Sequence, residues 1–258
     1  MSTREGYIAV FDSGLGGISV LRHLRRMMPG EKYLYFGDSA NAPYGSRPTW
    51  QVRDLTLAAA EKLMADKPLK ALVLACNTAT AAAVQELRKK YPGFIVIGIE
   101  PALKVAADNY PGGRIGVMAT EVTLREEKFD TLLLRFHEHC SVTKIPMPGL
   151  VQLVEAGKTD SEEMDTLLRT LLAQYIGRLD AVVLGCTHYP LAAKDISKVL
   201  GEQVALLDGG DGTARETRRR LANAGLLEEG SGELIMENSG SDPGLIARGY
   251  ALLHQERE

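Results

Sequence analysis

The feature that most constrains this chain is a repetition inside it. Ile8-Ala9-Val10-Phe11-Asp12-Ser13 matches Ile115-Gly116-Val117-Met118-Ala119-Thr120 at an offset of 107 positions. Ala71-Leu72-Val73-Leu74-Ala75-Cys76 matches Ala181-Val182-Val183-Leu184-Gly185-Cys186 at an offset of 110, and Val96 to Glu100 sits against Val204 to Asp208 at 108. One such match could arise by chance, but three in order at nearly constant spacing mark a duplicated unit. The 258 residues suffice for two domains of ordinary size.

The repeated runs read as strands. Candidates are residues 7–11, 33–36, 71–75 and 94–99 in the first half, and 114–119, 141–145, 181–185 and 204–208 in the second. They are continuously apolar rather than alternating, as in parallel strands buried on both faces. Helical patterns lie between them. Ile18, Leu21, Leu24 and Met28 share one face, Asp160 and Glu163 resemble a capping box, and Pro101 and Pro190 each suit a first helical turn. The expected fold is α/β: two similar doubly wound parallel-sheet domains related by duplication, with the active site in the cleft between them. The tail from 209 exceeds what a second repeat needs and is expected to return to the first domain. The predicted domains are therefore 1–100 with 209–258, and 101–208.

Composition removes several classes of function. The net charge of −3 carries no basic excess for nucleic acid, and "RETRRRL" (215–221) reads as a solvated helix face. No apolar run approaches a membrane span, and "MSTREGYIAVF" enters a strand with no signal peptide, so the expected compartment is the cytoplasm. The three cysteines, Cys76, Cys140 and Cys186, are odd in number and lack CxxC spacing, which argues against a disulfide framework or a zinc site.

Duplication changes how two of those cysteines read. Cys76 and Cys186 both end the third strand of their repeat. In facing domains they form a quasi-symmetric pair of bases, able to take a proton from one face of a carbon and return one to the other. That is the requirement of a racemase or epimerase. The two thiols account for both proton transfers, so no cofactor and no metal are expected. Each cysteine precedes an expected helix N-terminus, which favours an anion. His188 can shuttle a proton to Cys186. Asn77, Thr78 and Thr187 offer uncharged donors for a substrate carboxylate. The turn "FDSGLGG" (11–17) approximates a dinucleotide fingerprint, with Asp38 near its acidic position, but Ser19 and Asp12-Ser13 break the pattern. Its glycines suit a tight turn with exposed backbone N–H groups. In the polar loop "GDSANAPYGSRP" (37–48), Tyr44 and Ser46 could reach a substrate.

"FDSGLGG", "GDSANAPYG", "ACNTA", "LVE" (153–155) and "GCTHYPL" occur in the order seen in the glutamate racemases of bacterial cell-wall synthesis, within the aspartate/glutamate racemase superfamily, and this resemblance spans roughly residues 7–210. Aspartate and hydantoin racemases resemble the chain less: they typically carry glutamate where it has His188. The resemblance implies cofactor-independent interconversion of L- and D-glutamate for peptidoglycan, with Cys76 and Cys186 as bases and Asp12 and His188 assisting. It implies substrate contacts from Asp12, Ser13, Tyr44, Gly45, Asn77, Thr78, Thr120, Thr187 and His188, with Asp38 and Glu155 nearby. Asn41 departs from the often basic residue of other members. The partner implied is the small-molecule substrate, not nucleic acid or membrane, and a homodimer is left open. The competing readings are a related racemase of aspartate or hydantoin type, a hydrolase or lyase using Cys186 with His188, and a binding protein without turnover.

Overall fold

A computed structural model describes residues 4–99, 102–125, 131, 133, 134, 136 and 139–254. Glu100 and Pro101, one ending a repeat match and one read as opening a helix, lie outside the described residues. The chain divides into two compact units, Met1–Glu100 with Gly210–Glu258, and Pro101–Gly209.

The first unit is built on a five-stranded parallel sheet. Its strands are β1 (Tyr7–Asp12), β2 (Tyr33–Gly37), β3 (Leu69–Leu74), β4 (Ile95–Gly98) and β9 (Leu234–Asn238), in the order β4-β3-β1-β2-β9. The second unit holds β5 (Arg114–Ala119), β6 (Ser141–Pro146), β7 (Ala181–Leu184) and β8 (Ala205–Leu207), in the order β6-β5-β7-β8. Read from the other edge, β8-β7-β5-β6 repeats β4-β3-β1-β2 element for element. The segment after Gly209 returns to the first sheet, where β9 pairs with β2.

The register repeats as well. Ile8 pairs with Ala71 between β1 and β3, and Ile115 pairs with Ala181 between β5 and β7. The fourth strands correct the sequence alignment: Ala71 pairs with Ile95 and Ala181 with Ala205, an offset of 110 rather than 108. A two-residue slip keeps every side chain on its own face, so apolar patterning does not reveal it.

Past their first residues, Tyr7 in β1 and Arg114 in β5, the central strands are buried. Ile8, Val10, Ala71 and Val73 lie in one core cluster beneath the helix Ile18–Met27, and Ala9, Phe11, Leu72 and Leu74 lie in a second on the opposite face. Burial of both faces is what the unbroken apolar runs encode. The basic run behaves as read: Arg215, Arg218, Arg219 and Arg220 are exposed on the helix Gly210–Asn223, while Thr217 and Leu221 face inward.

Two helix starts differ from expectation. Ser161, not Asp160, caps the helix Glu162–Leu172, its hydroxyl accepting from the N–H of Met164 at 3.1 Å. Asp160 instead adopts a positive φ of 58° and donates its backbone N–H to Asp195 Oδ1 at 3.1 Å. After Cys186 no α-helix begins directly. The chain makes a 3-10 turn at Tyr189–Ala192, and the α-helix runs from Ala193 to Leu200. A helix starting at Thr187 would need an N–H from Pro190 to reach Cys186, and proline has none.

Candidate active site

In each sheet the connections from the first strand and from the third leave in opposite directions. The crevice this opens at the strand C-termini is where open α/β sheets hold ligands. In the first unit β1 delivers Asp12 and Ser13 to that point, and β3 delivers Cys76 beside them. Cys76 Sγ lies 3.6 Å from Ser13 Oγ. Cys76 is the residue preceding the helix Asn77–Lys90, with extended backbone, and its carbonyl accepts the N–H of Thr80 at 2.9 Å. The positive helix end therefore sits at this sulfur, as the sequence predicts. Asn77 and Thr78 lie half-buried in the first turn of that helix.

Asp12 is fully buried, and its Oδ2 accepts the N–H of Gly14 at 3.0 Å. The glycine turn thus directs this amide onto the chain's own carboxylate, which is unlike a dinucleotide cradle. Gly17 is required by close packing: a Cβ there would stand 2.6 Å from Cβ of Asp12. Gly37 is required in the same way, since its Cβ would meet the Gly14 carbonyl at 2.4 Å.

Asp38 accepts from three side chains. They are the Tyr44 hydroxyl at 2.7 Å, the Asn41 amide at 3.0 and 3.1 Å, and the Ser239 hydroxyl at 2.6 Å. Its backbone N–H donates to the Asp12 carbonyl at 2.9 Å. The Tyr44 ring is buried against Phe11. Burial, and then the bond to Asp38, hold its phenol well above the ordinary tyrosine range, so it stays a donor at physiological pH. Its side chain is thus committed to the loop itself. Gly45 lies half-buried in the 3-10 turn Tyr44–Ser46, and the Ser46 hydroxyl is turned onto the Pro43 carbonyl at 3.3 Å.

In the second unit β5 delivers Thr120 and β7 delivers Cys186 to the equivalent point. Gly185 allows the close approach, its N–H donating to the Met118 carbonyl at 2.7 Å. Thr120 precedes the helix Glu121–Arg125, and its hydroxyl is 2.9 Å from that of Thr123. Cys186 Sγ is 3.7 Å from His188 Nδ1, and His188 Nε2 is 2.6 Å from Glu155 Oε1. His188 and Thr187 are buried. Glu155, which the resemblance places only nearby, ends the helix Leu150–Glu155 and completes a line of carboxylate, imidazole and thiol. The carboxylate accepts, so Nε2 carries the proton and Nδ1 is left to accept from the thiol.

Cys140 belongs to neither constellation. Burial pushes its thiol up, which keeps it protonated and inert. Among the described residues no group of three or more His, Cys, Asp or Glu could hold a metal ion. Ser239 was missed from sequence. It lies 201 positions from Asp38, and no local pattern marks it.

The sequence profile of the Asp/Glu/hydantoin racemase family matches residues 15–217. A glutamate racemase of Clostridium perfringens is 46% identical over 238 residues, 91% of each chain. The structure of Thermus thermophilus glutamate racemase in complex with β-chloro-D-alanine superposes with a TM-score of 0.82 at 35% identity, covering 100% of this chain and 96% of that one. Escherichia coli glutamate racemase, in complex with L-glutamate and the activator UDP-MurNAc-Ala, superposes with a TM-score of 0.82 at 31% identity, covering 96% and 92%.

Proposed function

Because the chain belongs to the Asp/Glu/hydantoin racemase family, we propose that it interconverts L- and D-glutamate, without a cofactor, and that the D-glutamate serves peptidoglycan synthesis in the cytoplasm. Among the described residues no helix is long and apolar enough to cross a membrane. The observation that carries the reading is the equivalence of the two thiols. Cys76 and Cys186 each follow the third strand of a sheet with the same strand order and register. Inversion at Cα needs one base for each face, and the duplication supplies one thiol per repeat.

Cys186 takes the Cα proton of L-glutamate and Cys76 that of D-glutamate. In each direction the opposite thiol delivers its proton to the planar carbanion, so one thiolate is consumed and one formed. His188 accepts the Cys186 proton through Nδ1, and Glu155 stabilises the resulting imidazolium through Nε2. On the Cys76 side Thr78 stands where His188 stands in the other repeat. There Asp12 assists. The amide and hydroxyls of Asn77, Thr78, Ser13, Thr120 and Thr187, with the backbone N–H groups of Tyr44 and Gly45, hold the substrate carboxylates. Taken alone, the line Glu155, His188, Cys186 would also suit a thiol nucleophile, but that reading leaves Cys76 without a role.

The test is incubation with L-glutamate in deuterium oxide under reducing conditions. Loss of the circular dichroism of the amino acid, with one deuterium at Cα of the product enantiomer, is expected. An unchanged signal overturns the reading. With Cα-deuterated substrate, Cys76→Ser should enlarge the primary isotope effect from D-glutamate and Cys186→Ser that from L-glutamate. The reverse asymmetry exchanges the two roles.

A further inference from the structure

We propose that Ser239, in the C-terminal segment, is a positioning residue for the substrate-binding loop 38–46, acting through Asp38 on Tyr44. The inference rests on the racemase reading above and extends it to a part of the chain that none of the family's motifs covers.

The strand β9 lies at the edge of the first sheet, beside β2, and the two end level, with Gly37 paired to Asn238. Beyond that pair the chain does not leave the sheet. Ser239 N–H donates to the Gly37 carbonyl at 3.0 Å, and the Asn238 side-chain amide donates to the Ser39 hydroxyl at 3.0 Å. Ala40 N–H donates to Ser239 Oγ at 3.0 Å, and the same hydroxyl donates to Asp38 Oδ1 at 2.6 Å. Asn238 Oδ1 accepts the N–H of Gly240 at 2.8 Å, which bends the tail at this point. Ser239 therefore uses its hydroxyl both ways, accepting from the loop backbone and donating to the loop's carboxylate.

Asp38 carries that constraint onward. Its other oxygen accepts the Tyr44 hydroxyl, and its backbone N–H is fixed to the carbonyl of Asp12. A carboxylate held by two hydroxyls and an amide has its donors arranged around it in fixed directions. Removing one lets the carboxylate rotate, and the Tyr44 hydroxyl follows it. The backbone N–H groups of Tyr44 and Gly45, which the reading above assigns to a substrate carboxylate, then lose their fixed position. Asn41 contributes to the same clamp with a neutral amide, where a basic side chain would supply charge.

The effect is on binding geometry and leaves the thiols and their partners untouched. Ser239→Ala should raise KM for both enantiomers about five- to tenfold, with kcat changed by less than about twofold. Ser239→Thr, which keeps the hydroxyl, should restore KM. Because the path runs through Tyr44, Ser239→Ala should add nothing to a Tyr44→Phe background, where a merely structural role would add independently. Racemisation is followed by circular dichroism, with thermal unfolding of each variant alongside. An active wild-type protein whose KM is unmoved by Ser239→Ala, or whose effects add in the double variant, overturns the positioning role alone. An inactive wild-type protein overturns the racemase reading and this inference together.

Discussion

Replacing Glu155 by glutamine separates the charge of this side chain from its shape. The glutamine carbonyl can still accept from His188 Nε2, so the imidazole keeps its orientation and tautomer. What is lost is the negative charge 2.6 Å from the ring that becomes imidazolium when Cys186 gives up its proton. Two charges about 4 Å apart at an effective dielectric near 20 interact by about 4 kcal/mol. The Glu155 side chain is 25% exposed, so water screens part of that. What remains is in the range of a hydrogen bond to a charged group, about 1.5–3 kcal/mol. It corresponds to a loss of roughly 10- to 150-fold in the step that uses Cys186. L- and D-glutamate are enantiomers with an equilibrium constant of one, so kcat/KM must fall equally in both directions. The asymmetry appears only in the isotope effect. With Cα-deuterated substrate it should grow from L-glutamate, where Cys186 breaks the labelled bond. It should shrink from D-glutamate, where Cys186 delivers a proton that came from solvent. A loss under about threefold, or equal isotope effects in both directions, would refute the relay.

Cys140→Ser should keep full activity, while alkylation of the wild type should abolish activity and label Cys76 and Cys186, with glutamate protecting both; an inactive but folded Cys140→Ser contradicts the assignment. Asp12→Asn keeps size and removes proton affinity, and turnover measured by circular dichroism should fall at least about a hundredfold with little change in fold. Lys70→Met removes the ammonium that is buried 2.5 Å from Glu31, leaving a fully buried carboxylate unpaired; urea unfolding should show a loss of about 3–5 kcal/mol, and Glu31→Leu in the same chain should recover part of it.

The strand framework was legible because both sheet faces are covered. Val10, Val73, Val117 and Val183 read as core in any frame, and the duplication supplied the strand order twice. What failed lay where the signal is insensitive or distant. The two-residue slip at β4 and β8 preserves every face. Ser161 and Asp160 are both acceptable caps, and only the backbone at Asp160 decides between them. Pro190 was legible as an opening residue, yet its missing N–H also forbids the helix that was expected to begin at Thr187, directly after Cys186. The thiols could be read from strand ends alone. His188 could be read as well, two residues beyond Cys186. The contacts one step further out could not: Glu155 meets His188 across 33 positions and Ser239 meets Asp38 across 201, and these depend on tertiary packing.

The return of the tail also sets a timetable. β2 finds its outer neighbour only when residues 234–238 have been made, after the whole of the second unit. At about 5–20 residues per second, a ribosome takes roughly 7–28 s to pass from the end of β4 to the end of β9. For that interval the backbone of Tyr33–Gly37, a strand buried along its whole length in the finished protein, offers an unpaired edge. The carbonyl of Leu226, which accepts from the Lys70 ammonium, arrives in the same late segment. The second unit, continuous in sequence, has no such wait. The half of the molecule translated first is thus the half completed last, and protection of its open edge falls to whatever binds the emerging chain.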